Sequence, residues 1–178
     1  MISHPSLDLV RFIQTAFERS VSAFHRAING LGDNDLYYQP TKDSNSIAWL
    51  AWQMGRRNDY YSAKLVGDDE IWATQGWASR FGMPAQDIGL GHTPEQVAAF
   101  KPRRDLLIGY VEAAQRVAND RLSRMTAGLL DREVELDAGR GMRPAWQILH
   151  PLVNNCLQRA GEIAYVRGMI SGIGWSGR

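Results

Sequence analysis

Two polar residues stand where the last part of the chain should be apolar, and they are its strongest chemical signal. From Pro144 to about Gly172 the apolar residues follow helical spacing. With Leu152 as the zero of a wheel turning about 100° per residue, Cys156, Ile163, Val166 and Ile170 fall within roughly 40° of it. They define the face that enters a core. Asn155 and Arg159 lie on the same face, Arg159 only about 20° from its centre. A guanidinium is rarely buried without a partner, because desolvating its charge costs several kcal/mol. Glu162, three residues on, offers a helix pair worth only about 0.2–0.5 kcal/mol, too little to hold a deeply buried cation.

Two readings of Arg159 follow. Either its stem lies on apolar neighbours near a helix end while its head reaches water, or it lines a polar pocket that takes an anion. Gln53 is a similar intrusion, set among Trp49, Leu50, Met54 and Tyr60. Its amide needs a partner in the core or on a ligand. The candidate ligand-binding residues are therefore Gln53, Asn155, Arg159 and Glu162.

Other reactive residue types form no constellation. Cys156, the only cysteine, has no disulfide partner and no histidine base beside it, so it reads as a small buried side chain rather than a nucleophile. His4, His25, His92 and His150 are scattered, and His150 is out of the i, i+4 register with Asn155. Each reads as a surface or packing residue. Gly139-Arg140-Gly141 lacks the strand, helix and Gly-Lys-Ser/Thr ending of a phosphate loop.

The elements that must position these residues are helical. Leu7, Val10, Ile13, Phe17, Val21, Phe24 and Ile28 recur at spacings of three and four, predicting a helix from Ser6 to Asn29 that Gly30 and Gly32 stop. Ser44, Asn45 and Ser46 offer caps to a second helix ending near Val66. Gly67 to His92 shows no sustained period and reads as a long ordered loop. Thr93-Pro94-Glu95-Gln96 carries a capping box with Pro at the first helical position, predicting a short helix to Phe100. A third long helix runs from after Pro102 to near Gly128, and Asp137 to Arg143 is a glycine-rich connector without convincing strands. In the last helix Pro151 should kink or break the first turns. Four long amphipathic helices make an all-α four-helix bundle the economical fold, with the long ordered loop between its second and third helices.

At 178 residues the chain fits one domain, 1–178. Twenty basic against nineteen acidic residues leave a formal charge of +1, which gives no broad field for nucleic acid or an anionic membrane. The longest apolar runs fall far short of the roughly 18 residues of a membrane span. The first residues lack the order of a signal peptide, so neither export nor a membrane is expected and the location is cytoplasmic.

Asn45-Ser46-Ile47-Ala48-Trp49-Leu50-Ala51-Trp52-Gln53-Met54 resembles the second-helix signature of the DinB-like, damage-inducible metalloenzyme family, in which a histidine stands at the Gln53 position. The run from Ile148 to Gly168 is similar to the family's last helix, with Gly161-Glu162-Ile163 matching its Gly-Gln/Glu-Ile turn. There two further histidines, four residues apart, stand at the positions of Asn155 and Arg159. Leu31 to Pro40 also fits, and so does the loop phrase from Trp72 to Gly82, whose Trp72, Trp77 and Phe81 either lid a cavity or cap the open end of the core.

The resemblance implies a four-helix bundle, a three-histidine site for a divalent metal such as zinc or nickel, and often a dimer. Some relatives are thiol-dependent transferases or isomerases. Gln53, Asn155 and Arg159 replace all three ligands, and Gln and Asn amide oxygens are weak zinc donors. An arginine is a permanent cation, so Arg159 would repel a metal and could take over its volume and its charge. The leading expectation is a protein without metal or other cofactor that binds a small polar or anionic ligand in the bundle cavity. One alternative is a thiol-dependent transferase or related enzyme with Arg159 in place of the metal; another is a homodimeric interaction scaffold.

Overall fold

The periodic segments of the sequence become four long helices in a computed structural model that describes residues 5–135 and 141–176. They are α1 (Pro5–Ile28), α3 (Ile47–Val66), α7 (Arg104–Ser123) and α9 (Leu149–Ser171). Five short helices join them: α2 (Asp33–Leu36), α4 (Ile71–Thr74), α5 (Trp77–Phe81), α6 (Pro94–Ala99) and α8 (Ala127–Leu130). The class is all-α, as the periodicity requires. Local caps set several boundaries. Ser46 Oγ accepts the Trp49 N–H at 3.2 Å, and Thr93 and Gln96 close a reciprocal box at the start of α6.

The helices pack in the cyclic order α1, α9, α3, α7. Ile13 and Phe17 of α1 share a core cluster with Leu152 and Cys156 of α9 and with Tyr60 and Leu65 of α3. Phe24 meets Ile163, Val166 and Leu50 in the other cluster. Hence α1 and α9 run the same way and α3 runs against them. Helices α3 and α7 run parallel, since an added Cβ on Gly55 would stand 3.3 Å from Val111 Cα while Asp59 and Ser62, further along, bond Arg121. Without a side chain at Gly55, α7 closes onto α3.

Two consecutive parallel helices need a return path as long as the helix, about 30 Å for twenty residues. The connector from Gly67 to Arg103 supplies it and wraps α3. As a result every residue from Ile47 to Ala63 is buried.

The structure departs from the sequence reading in four places. The Gly67 to His92 segment carries two short helices, α4 and α5, too brief to show a period. The third long helix stops at Ser123, and α8 follows separately. A two-stranded antiparallel ladder pairs β1 (Glu133–Glu135) with β2 (Met142–Pro144), placing Val134 opposite Arg143. Finally, Pro151 neither kinks nor breaks α9: it sits in the first turn, where its missing N–H removes no helical bond, after a 3-10 turn at Ala145–Ile148.

Candidate functional site

The four residues singled out by their chemistry lie on α3 and α9, which pack against each other along a seam. The Arg159 guanidinium carbon lies 6.0 Å from the Trp49 ring centroid, and Asn58 hydrogen-bonds Cys156. These two contacts give an antiparallel register that brings the Trp49 to Asn58 stretch of α3, with Gln53 in it, alongside the Cys156 to Arg159 turn of α9. Glu162 takes Arg159 Nη1 on its Oε2 and accepts the Gln158 amide at 3.0 Å. Arg159 falls between the two readings of its position. Its side chain is 16% exposed beside a 34% exposed Glu162, so the cation is mostly covered and its acceptor stands at the rim.

Three atoms at this seam are buried without a hydrogen-bond partner among the described residues: Gln53 Oε1, Asn155 Oδ1 and Arg159 Nε. An unsatisfied buried polar group costs about 1–3 kcal/mol, so such a trio marks a place built to meet something. As metal donors they fail. Two amide oxygens are weak ligands, and a guanidinium already tied to a carboxylate has no lone pair to give. Among the described residues no three His, Cys, Asp or Glu side chains stand together as a metal site.

The connector covers this seam. Gly89 packs on it with φ +72°, and an added Cβ would come to 2.9 Å from Trp52 and 3.3 Å from Gln53. His92 stacks on the Trp52 ring at 5.6 Å. It accepts the Trp49 indole N–H on Nδ1 at 3.0 Å, which leaves Nε2 to donate to Asp87 at 3.0 Å. His92 is thus the satisfied packing residue its isolation suggested, with a role in holding the cover. Of the aromatic residues expected to lid a cavity or cap the core, Trp72 and Trp77 pack into the core and Phe81 is half-buried. Trp72 is fully buried, 5.9 Å from Trp52 of α3 and 5.0 Å from Tyr110 of α7, and Trp77 lies 5.3 Å from the same Tyr110 ring.

What holds the connector down is ionic and was not evident from the sequence. Arg56 Nη1 pairs with Glu70 at 2.5 Å, and its Nε donates to the Asp87 carbonyl at 2.8 Å. Asp59 accepts the N–H groups of Ile71 at 3.1 Å and Trp72 at 2.8 Å. The signal was present as Arg56-Arg57-Asn58-Asp59, a polar run in the middle of an apolar helix.

Cys156 is fully buried, and its thiol is pushed up to about 11 by burial, against hydrogen bonds from Ser20 and Asn58 that pull it down. That keeps it protonated at neutral pH and unfit as a nucleophile. His25 faces Glu112 at 3.3 Å on the surface, and His150 is exposed. His4, Gly139 and Arg140 lie outside the described residues. Beside Glu162 opens a groove of about 500 Å³ lined by Asn45, Leu50, Tyr165 and Met169 among others. No helix among the described residues is long and apolar enough to cross a membrane.

Comparison with family models matches the DinB superfamily over residues 16–163. Comparison with curated proteins finds no match. Among solved structures, the crystal structure of a conserved protein from Enterococcus faecalis superposes with a TM-score of 0.80 at 20% identity, covering 92% of this chain and 97% of that one. At that identity the likeness shows a shared fold.

Proposed function

The chain belongs to the DinB superfamily, and we propose that it works without a metal, binding a small polar or anionic ligand at the seam of α3 and α9. The observation that carries this reading is the set of buried, unpartnered atoms Gln53 Oε1, Asn155 Oδ1 and Arg159 Nε. Arg159 supplies a fixed positive charge at one of the positions where the resemblance implies a metal-binding histidine, and an N–H aimed at no acceptor. A carboxylate there gains a charge-assisted hydrogen bond from Arg159 Nε, and the two amide oxygens, which only accept, take O–H or N–H groups elsewhere on the ligand. Glu162 holds the guanidinium in place by Nη1.

The test is elemental analysis of the purified chain after incubation with zinc and nickel chlorides, followed by melting curves with sodium glycolate and lactate, whose hydroxyls can donate to the amide oxygens, against sodium chloride. The expected result is no stoichiometric metal and a carboxylate-dependent rise in melting temperature that Arg159→Met abolishes. Stoichiometric metal that Gln53→Ala or Asn155→Ala removes would overturn the reading.

A second reading rests on a separate observation. Leu157, Tyr165 and Met169 recur at four-residue multiples along α9 and are 49%, 71% and 50% exposed. Such a ridge suits packing against a second copy of the chain, the homodimeric scaffold. Sedimentation over a range of concentrations tests it, and a strictly monomeric protein would sink it.

A further inference from the structure

The connector that covers α3 also builds a cleft that Arg159 does not line. An open cavity of about 810 Å³ lies between the Phe81-Gly82 turn and the Phe100 to Arg103 link. That is ample for a small organic ligand. Arg80, Lys101 and Arg103 stand on its wall against one acid, Asp87. The whole chain carries only one more basic than acidic residue, so three to one is a local concentration.

The Asp87 carboxylate is also engaged. Its Oδ1 accepts the Gly89 N–H at 2.8 Å, and both oxygens lie 3.0 Å from His92 Nε2. Because His92 Nδ1 is filled by the Trp49 indole, its Nε2 proton is directed at Asp87. Of the cations, Arg103 pairs with Asp105 at 2.9 Å. Arg80 lies over the Trp77 ring at 4.0 Å and, like Lys101, has no acidic partner among the described residues. The apolar part of the wall includes Phe81 and Phe100, whose rings stack within 5° of parallel with centroids 6.1 Å apart.

The geometry points to a second binding site in this cleft, for a small organic anion with a flat apolar body: its carboxylate or phosphate faces Arg80 and Lys101, and its body lies against the Phe81–Phe100 pair. Two unpaired cations supply the attraction for the anionic group, and a ring stack offers area to an aromatic or planar body at little ordering cost. The one acid is turned to His92 and Gly89.

The full chain, labelled with 15N, is titrated with sodium 1-naphthoate, with phenyl phosphate and with uncharged 1-naphthalenemethanol. Saturable shifts of the Gly82, Gln96 and Lys101 amides by the two anions are expected. The double variant Arg80→Gln/Lys101→Gln should weaken binding about tenfold or more, whereas Arg159→Met leaves it unchanged. Arg80 and Lys101 are exposed, so the double variant keeps the fold and gives up only the Arg80 contact with Trp77, which a retained cooperative melt checks. Tighter phenyl phosphate would assign the site to phosphate esters, and tighter naphthoate to carboxylates. Three results would each overturn the proposal: equal affinity for the alcohol, affinity unmoved in the double variant, or no saturation at millimolar anion.

Discussion

Arg121 Nη1 lies 2.9 Å from Asp59 Oδ1, with the two side chains 2% and 0% exposed, so an ion pair joins α7 to the middle of α3 in the interior. Arg121 also donates to the Asp59 carbonyl at 3.1 Å, to Ser62 at 3.0 Å and to the Asp69 carbonyl at 2.5 Å. Asp59 in turn holds the first N–H groups of α4. The pair therefore ties two helices and the start of the connector to one point, while Arg124 and Asp68 continue it at the surface at 2.5 Å.

Removing one partner of such a pair leaves a buried charge with only its longer contact, Arg56 at 3.9 Å from Asp59 or Asp68 at 3.4 Å from Arg121. Asp59→Ala is expected to cost about 3–5 kcal/mol in urea unfolding, as is Arg121→Met. The double variant should lose distinctly less than the sum, because each single change already abolishes the interaction. Additive losses, or a cost under about 1 kcal/mol for either single change, would show that the pair does not anchor the connector.

Gly89 and Gly91 separate backbone strain from packing. Both have positive φ, +72° and +76°, but an added Cβ meets Trp52 at 2.9 Å in the first case and nothing within 4 Å in the second. Gly91→Ala should cost about 1 kcal/mol of backbone strain. Gly89→Ala should cost about 1–3 kcal/mol more, with a red-shifted tryptophan emission as the cover lifts from Trp49 and Trp52. Equal destabilisation of the two variants would mean that the cover yields freely.

The parts of this molecule that could be read in the sequence are those set by local rules. The apolar period of α1, α3 and α9, the Ser46 cap and the Thr93–Gln96 box depend on residues a turn apart, and each appears where those residues put it. The α9 face was legible for the same reason, including the anomaly at Asn155 and Arg159. What could not be read depends on chain return. Arg56 to Asp59 would take a solvent face in an ordinary surface helix, but the connector folds back over them and they are buried. The polar run within an otherwise apolar helix was one trace of that, and the connector's length was the other, since parallel α3 and α7 demand a long crossover. The Asp87–His92–Trp49 chain of bonds spans a loop and a helix, so no spacing along the sequence encodes it.

Cys156 gives a pH signature. Its thiol titrates in the folded protein at about 11, above the ordinary 9.0 of a free thiol, chiefly through burial. A raised folded value means that the neutral thiol contributes stability in full below pH 9 and loses it as the pH climbs through 11. Two units correspond to about 2–3 kcal/mol. Measured as the difference from Cys156→Ala, the advantage of the native residue should shrink across that window while remaining flat from pH 6 to 8. Native protein should also resist iodoacetamide at pH 8 and react once unfolded in urea. Rapid labelling of the folded chain would contradict the burial on which both expectations rest.

Placing three imidazoles at positions 53, 155 and 159 tests whether the seam of α3 and α9 has the geometry of a metal site and lacks only its donors. Asn155 and Arg159 are one turn apart on one helix face and Gln53 lies on the neighbouring helix α3, so Gln53→His, Asn155→His and Arg159→His together offer three nitrogens. Zinc accepts that set at about 2.0–2.1 Å with a fourth position open. Removing Arg159 also strips Glu162 of its partner, so the triple variant should be somewhat less stable than the native chain without metal and regain stability with it. The expected outcome is one zinc per chain by elemental analysis and a zinc-dependent rise in melting temperature, neither of which is expected of the native chain. Reverting only position 159 to arginine should abolish both, since a fixed cation at the centre repels the metal. A folded triple variant that takes up no zinc would show that the three side chains do not converge, and the metal-free reading would then rest on geometry as well as on chemistry.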